Sequence, residues 1–246
     1  MSVTIIGVDC ATQPKNVGLA RGIYTNATLR VDKIAVNQPL VETIATWLPT
    51  DDSRTLLALD APLGWPLALS TALATHQAGE RLTDAPNQLF RRETDRFVKT
   101  VVGKQSLDVG ADRIARTAHA TLTLLAALSQ ELERLIPLAW EPTALASLSA
   151  IEVYPAATLK VLFGDERVLS YKGKGRENGR LAILEHLQTE LTLPTNHDLL
   201  RTNDDALDAV IAVLAGVDFL QGKAMPPTDI EIAKKEGWMW IRQPFH

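Results

Sequence analysis

The sequence predicts a mixed α/β fold in which helices cover both faces of a sheet. Three observations lead there. A β-branched apolar run, Val3 to Val8, opens the chain, and two strand-like stretches, Val17 to Tyr24 and Leu29 to Val36, follow as a hairpin. Helical periodicity then dominates Asp112 to Leu135, Asn178 to Leu191 and Asn203 to Leu220. Short apolar runs at Leu56 to Leu59 and Ile151 to Tyr154 stand between helical stretches, as crossover strands do.

Taken in order, Val3 to Val8 reads as a buried strand because its apolar residues are continuous rather than alternating. Pro14 and Asn16 supply turn chemistry after it, and the hairpin is expected to turn near Asn26. Leu40 to Leu48 predicts a short helix stopped before Pro49. Leu56 to Leu59 predicts a strand ending at Asp60, since Pro62 cannot donate to a ladder. In the long helix, Ile114, Ala118, Leu122, Leu125, Leu128, Leu132 and Leu135 recur three or four residues apart and form one apolar stripe, ended by Pro137. Ile151 to Tyr154 predicts a strand closed by Pro155. The last long helix starts at an Asn/Asp cluster that suits an N-cap and an acidic first turn. The tail carries a short aromatic run from Trp238 to Trp240.

The 246 residues carry a net charge of -4, with 46% hydrophobic and 22% charged residues, the balance of a folded globular chain. The expectation is a single domain over 1–246 with a helical insertion at about 67–138, too long for a simple crossover. Cys10 is the one cysteine, which excludes an internal disulfide framework and a zinc site of several thiolates, and Cys10 itself reads as a small core residue. No apolar run reaches the roughly 18 residues of a membrane span. MSVTIIGVD lacks a basic segment and a long apolar stretch, so a cytoplasmic setting is expected. The mildly acidic balance argues against coating nucleic acid by charge alone.

Function is read from the acids. Asp9 ends the first strand, Asp60 ends the later one, and Glu152 lies inside IEVYP. Asp205 and Asp208 sit three residues apart in the first turns of a helix. Carboxylates at strand ends of an α/β sheet collect at the edge where ligands bind. Such a hard-oxygen set suits Mg2+ or Mn2+, and a pair of these ions can activate a water and stabilise the leaving oxygen of a phosphodiester. Each acid also has a structural reading: a strand-end Asp caps a turn, and Asp204 and Asp205 cap a helix. Asp208 beside Leu207, Ile211 and Leu214, and Glu152 between Ile151 and Val153, fit that reading least, because an unpaired buried carboxylate is costly.

Basic residues supply candidate phosphate contacts. Arg92 lies in RRETDRFV, and Lys172, Lys174 and Arg176 lie with Arg180 in YKGKGRENGR, a glycine-bearing loop entering a helix. The alternative is a solvated loop. His76, His119, His186 and His197 show no metal-ligand spacing.

GVDCA, LALDAPLGWP, RETDRFV, IEVYPAATLK, YKGKGRENGR and DDALDAVIAVLAG, in that order between about Val3 and Gly216, resemble the family of predicted RNase H-like nucleases known as domain of unknown function 429. The resemblance implies an RNase H-like mixed five-stranded sheet flanked by helices. Its first and fourth strands lie side by side at the centre, and its helical insertion falls between the fourth and fifth strands. Within the wider group, which includes Holliday-junction resolvases, acids on the first strand, the fourth strand and the last helix bind metal. Here those are Asp9, Asp60 and Asp208, with Asp205 one helical turn earlier. The resolvases usually carry Glu where this chain has Asp60.

The expected activity is metal-dependent phosphodiester hydrolysis with two ions, with Asp9, Asp60, Asp205, Asp208 and Glu152 as its acids and Lys172, Lys174, Arg176 and Arg92 on the substrate. Asp9, Asp60 and Asp208 hold metal in this reading and should lie about 4–7 Å apart, with Glu152 at their border. The expected partner is nucleic acid, whether RNA, DNA or a branched junction, with no membrane and with oligomeric state left open. Two other readings compete. One is a catalytically silent RNase H-like binding or scaffold protein. The other is an actin-like ATP-dependent kinase, whose strand–Asp–turn start GVDCATQPKNVGLA imitates through Asp9, Thr12 and Lys15, though this chain lacks the glycine spacing of an adenosine loop.

Overall fold

The computed structural model describes residues 2–110, 112–164 and 170–244. Five strands form one sheet: β1 (Ser2–Asp9), β2 (Gly18–Thr25), β3 (Thr28–Val36), β4 (Arg54–Asp60) and β5 (Leu148–Glu152), in the spatial order β3-β2-β1-β4-β5. β1 to β3 form an antiparallel meander, and β4 and β5 run parallel to β1. This is the mixed five-stranded sheet flanked by helices expected above, with β1 and β4 adjacent at its centre. The hairpin turns where expected, at Asn26 and Ala27, both in the left-handed region with φ of 50° and 62°.

β1 is buried on both faces because layers cover both, which is why its sequence shows no alternation. Val3 and Ile5 of β1, with Leu56 and Ala58 of β4, join one core with α9 (Asp204–Leu220). Ile6 and Val8, with Leu57 and Leu59, join a second core with Ile44 and Trp47 of α1 (Leu40–Trp47) and Leu124, Leu125 and Leu128 of α5 (Asp112–Glu131). By the two-residue repeat of a strand, Asp9 and Asp60 fall on the face of Ile5 and Ala58, the α9 face. Their register makes them direct partners across β1 and β4.

Between β4 and β5 run α2 (Leu67–Leu73), α3 (Pro86–Leu89), α4 (Glu93–Val102) and α5. The end of this stretch, α5, supplies much of the second apolar face. The predicted stripe on α5 is shortened. The helix ends at Glu131, Glu133 adopts a positive φ, and Leu135 is 88% exposed. The strand expected at Ile151 to Tyr154 starts and ends earlier, as β5.

After β5 come α6 (Pro155–Phe163), α7 (Glu177–Glu190), α8 (Asp198–Thr202), α9 and α10 (Ile230–Glu236). α9 is buried all round from Ala206 to Phe219, since the sheet lies on one side and α6, α7 and α8 on the other. Two glycines set how closely it approaches the sheet. A Cβ on Gly7 would stand 2.1 Å from the Ala209 carbonyl oxygen, and one on Gly18 would stand 1.9 Å from that of Asp205. The aromatic tail is part of the core: the Trp240 N–H donates to the Glu152 carbonyl at 2.9 Å, and Trp238 and Trp240 pack on Phe97 and Phe219. Among the described residues, no helix is long and apolar enough to cross a membrane.

Candidate metal centre

The sheet edge and the start of α9 meet at three carboxylates. Asp9, Asp60 and Asp208 each present an oxygen within 4.8 Å of the others. The parallel β1–β4 register sets the first pair side by side, and the close packing allowed by Gly7 and Gly18 lowers α9 onto them. The shorter Asp at position 60 still reaches the group. The Asn203 side chain caps α9 by accepting from the Ala206 N–H at 2.8 Å, which fixes the turn that carries Asp205 and Asp208.

Asp208 is 1% exposed, while Asp9 and Asp60 are half-buried. Burial raises the Asp9 carboxyl well above its ordinary value, and the Asp60 and Asp208 charges push it the same way. Burial and then Asp208 push Asp60 up to about 8. Asp208 is raised by burial against the opposing pull of Lys172 and Tyr171. Asp205 is raised by burial and by its acidic neighbours, and it borders the group from the first turn of α9 without joining the three converging oxygens.

Two groups from the Tyr171–Gly173 loop reach Asp208. The Tyr171 hydroxyl donates to Oδ1 at 2.7 Å. The Lys172 Nζ lies 2.6 Å from Oδ2 as an ion pair, while that oxygen accepts no well-aligned hydrogen bond. Burial works against the Lys172 ammonium, but the carboxylates of Asp208, Asp60 and Asp9 outweigh it and raise its pKa. Arg180, almost fully buried, clamps this loop by donating to the carbonyls of Tyr171, Gly173 and Arg201 at 2.5, 3.1 and 2.6 Å. The Gly173 N–H donates to Asp204 Oδ2 at 3.0 Å. Sequence reasoning passed over Tyr171. Its only signal was its place beside Lys172 at the mouth of a glycine-bearing loop.

Glu152 lies at the border of the cluster, as expected: with Arg92 it lines the same cleft as Asp9 and Asp60, and its charge adds to the rise of the Asp60 carboxyl. By register Glu152 is opposite Leu59, one residue before Asp60. Its carboxylate is taken up by Arg92 at 2.7 and 2.8 Å and by the Leu63 N–H at 3.0 Å. Arg92, 1% exposed, also donates to both oxygens of Asp95 at 3.1 and 3.2 Å and to the Glu236 carbonyl at 3.1 Å. Its donors are thus taken up by neighbouring acids and a carbonyl at the wall of the cleft. Lys174 and Arg176 are exposed on the loop before α7, open to solvent on the side of the chain that carries Lys172.

A cleft of about 370 Å³ opens over the cluster, lined by Asp9, Asp60, Lys104, Ile114, Tyr154 and Lys172. A larger depression of about 640 Å³, lined by Leu67, Thr71, His76 and Arg96, holds none of the three carboxylates. The converging set is all oxygen, with one buried oxygen lacking an aligned donor, and such a set fits a hard divalent cation. Neither Cys10 nor any histidine belongs to it among the described residues.

A family model described as "Protein of unknown function (DUF429)" matches residues 7–232. Among solved structures, T. thermophilus RuvC in complex with Holliday junction substrate aligns over 92% of this chain and 99% of that chain, at 12% identity and a TM-score of 0.36. No curated protein matches the chain.

Proposed function

We propose that this chain, which belongs to the DUF429 family of proteins of unknown function, is a Mg2+- or Mn2+-dependent nuclease that hydrolyses phosphodiester bonds. The observation that carries the reading is the convergence of Asp9, Asp60 and Asp208 within 4.8 Å, with Asp9 and Asp60 lining an open cleft. Three acids held this close oppose their own ionisation, an arrangement that a bound divalent cation relieves. Asp9, Asp60 and Asp208 would hold the ion, which when bound lowers the pKa of a water and polarises a phosphoryl oxygen.

The chain's own groups do the rest. Tyr171 orients Asp208 through its hydroxyl. Lys172 and Lys104 bring positive charge to the cleft wall, where a phosphate diester would lie. Exposed Lys174 and Arg176 are placed to meet backbone phosphates farther along a strand. With a net charge of -4, binding must rest on this local patch rather than on the whole surface.

One observation favours a second reading: Lys172 already pairs with Asp208, as a permanent counter-ion would in a catalytically silent scaffold. The deciding experiment incubates single-stranded, duplex, hybrid and branched nucleic acids with Mg2+ or Mn2+, using the wild type beside Asp9→Asn. Cleavage by the wild type and none by Asp9→Asn is expected, with substrate binding by the variant retained. Cleavage no greater than that of the variant on every substrate overturns the nuclease reading and leaves the scaffold.

A further inference from the structure

We infer that the Lys172 ammonium stands in for a second metal ion, so that the carboxylate cluster takes one divalent cation rather than the pair expected from the sequence. This deepens the metal-dependent reading and rests on it.

The first ground is occupancy. A pair of ions about 3.5–4 Å apart needs carboxylate oxygens free to reach both. Asp208 is the most buried acid of the cluster: its Oδ1 accepts from the Tyr171 hydroxyl at 2.7 Å, and its Oδ2, the oxygen left for an ion, already faces Lys172 Nζ at 2.6 Å. The space beside Oδ2 is taken by the ammonium.

The second ground is that the ammonium is held there. Lys172 is more than half exposed, and a free lysine would keep its hydrated head in solvent. Here its backbone is fixed on either side. The Tyr171 and Gly173 carbonyls both accept from the buried Arg180, and the Gly173 N–H is tied to Asp204 at the start of α9. The loop therefore delivers the charge to one place. A solvated surface lysine needs no such clamp.

The third ground is charge. Three carboxylates and one ammonium leave two negative charges, which one divalent ion cancels. Set against these four groups alone, two ions would overshoot by two positive charges. Asp205 beside the cluster and Lys104 on the cleft wall offset each other, while Glu152, Asp95 and Arg92, hydrogen-bonded to one another along the same cleft, carry one further negative charge, so one ion leaves one negative charge in the cleft and two ions one positive charge. An ammonium beside a single ion also fits phosphodiester chemistry, since it is a fixed positive charge facing a group whose negative charge grows in the transition state.

The test is metal stoichiometry on the full chain, read by calorimetric titration with Mn2+ and by the electron paramagnetic resonance of the bound ion. The wild type is expected to bind one Mn2+ with the spectrum of an isolated ion. Lys172→Met should bind two, with the spectrum of an exchange-coupled pair. Removing a unit positive charge roughly 5 Å from a dication should also tighten the first site by about tenfold even at the dielectric of water. Lys172→Arg, which keeps the charge, should stay at one ion and so separates loss of charge from damage to the loop. A wild type that binds a coupled pair, or a Lys172→Met variant that stays at one ion with unchanged affinity, overturns the inference while leaving the metal-dependent reading intact. A wild type that binds no Mn2+ overturns that reading, and the inference with it.

Discussion

Replacing Asp60 by Asn should stabilise the metal-free protein at neutral pH. The Asp60 carboxyl has an ordinary value of 3.8 and is pushed up to about 8 in the fold, first by burial and then by Asp208. The folded chain thus holds a proton that the unfolded chain has already released. Between those two values the native state binds more protons, so stability falls as pH rises, by about 1.4 kcal/mol per pH unit for a fully coupled group. The loss begins near pH 4 and is complete above about pH 8. Integrated to pH 7 this gives an upper bound of about 4 kcal/mol, and partial hydration of the half-buried group lowers the expected gain to roughly 2 kcal/mol. Asn keeps the shape and cannot ionise. Urea unfolding followed by tryptophan fluorescence, in chelator and at several pH values, reads the effect directly. The wild type should lose stability from pH 4 to 8, the variant should lose less, and the two should converge near pH 4. Mn2+ at about a hundred times its Kd should return about 2.7 kcal/mol to the wild type and little to the variant. An Asp60→Asn protein that is less stable than the wild type at pH 7, or that keeps the wild-type pH slope, would refute the reasoning.

Arg92→Met should destabilise the fold by about 3–5 kcal/mol, because it strands the buried carboxylates of Glu152 and Asp95, and urea unfolding will show it. A loss under about 1 kcal/mol would mean that those acids find other partners. Gly18→Ala places a Cβ against the Asp205 carbonyl and must lift the start of α9, so it should cost about 1–3 kcal/mol and also erase the Mn2+-induced rise in Tm. Lys174→Ala with Arg176→Ala should weaken nucleic-acid binding without changing metal affinity. Each lost phosphate contact should lower the slope of log affinity against log salt by about one, measured by fluorescence anisotropy.

The parts of the fold that sequence exposes are those governed by local rules. The unbroken apolar run of β1 told of burial on both faces, and the Asn26 turn told of the hairpin. Asp9 and Asp60 could be picked out because a strand ends where its apolar run meets a carboxylate. Asp208 stood out because it interrupts an apolar stretch of α9. What stayed hidden depends on pairing across long separations. Glu152 does resist burial unaided, as its sequence context implies, and its partner is Arg92, 60 positions away, which no local pattern reveals. The tail could not be assigned from its pattern because Trp238 and Trp240 pack on side chains from α4 and α9.

The treatment of buried acids elsewhere in the molecule sharpens the case for the cluster. Asp95 and Glu152 share one guanidinium, that of Arg92, in a buried and closely hydrogen-bonded group. Asp218, fully buried on α9, meets Arg242 at 2.7 Å, and Arg242 also holds Glu190 at 3.0 Å. In both places a rigid fork of donors meets each carboxylate, the geometry that makes an ion pair tolerable in a low dielectric. At Asp9, Asp60 and Asp208 the same chain brings three acids together with one lysine on an exposed loop. A core selected for stability alone would place an arginine there, as it does twice nearby, or would hold the acids apart. Instead two glycines draw α9 down onto the sheet edge and tighten the cluster. Local rules are broken in a consistent fold where function requires it, and here the breach leaves a net negative oxygen set beside an open cleft, the arrangement a divalent cation completes.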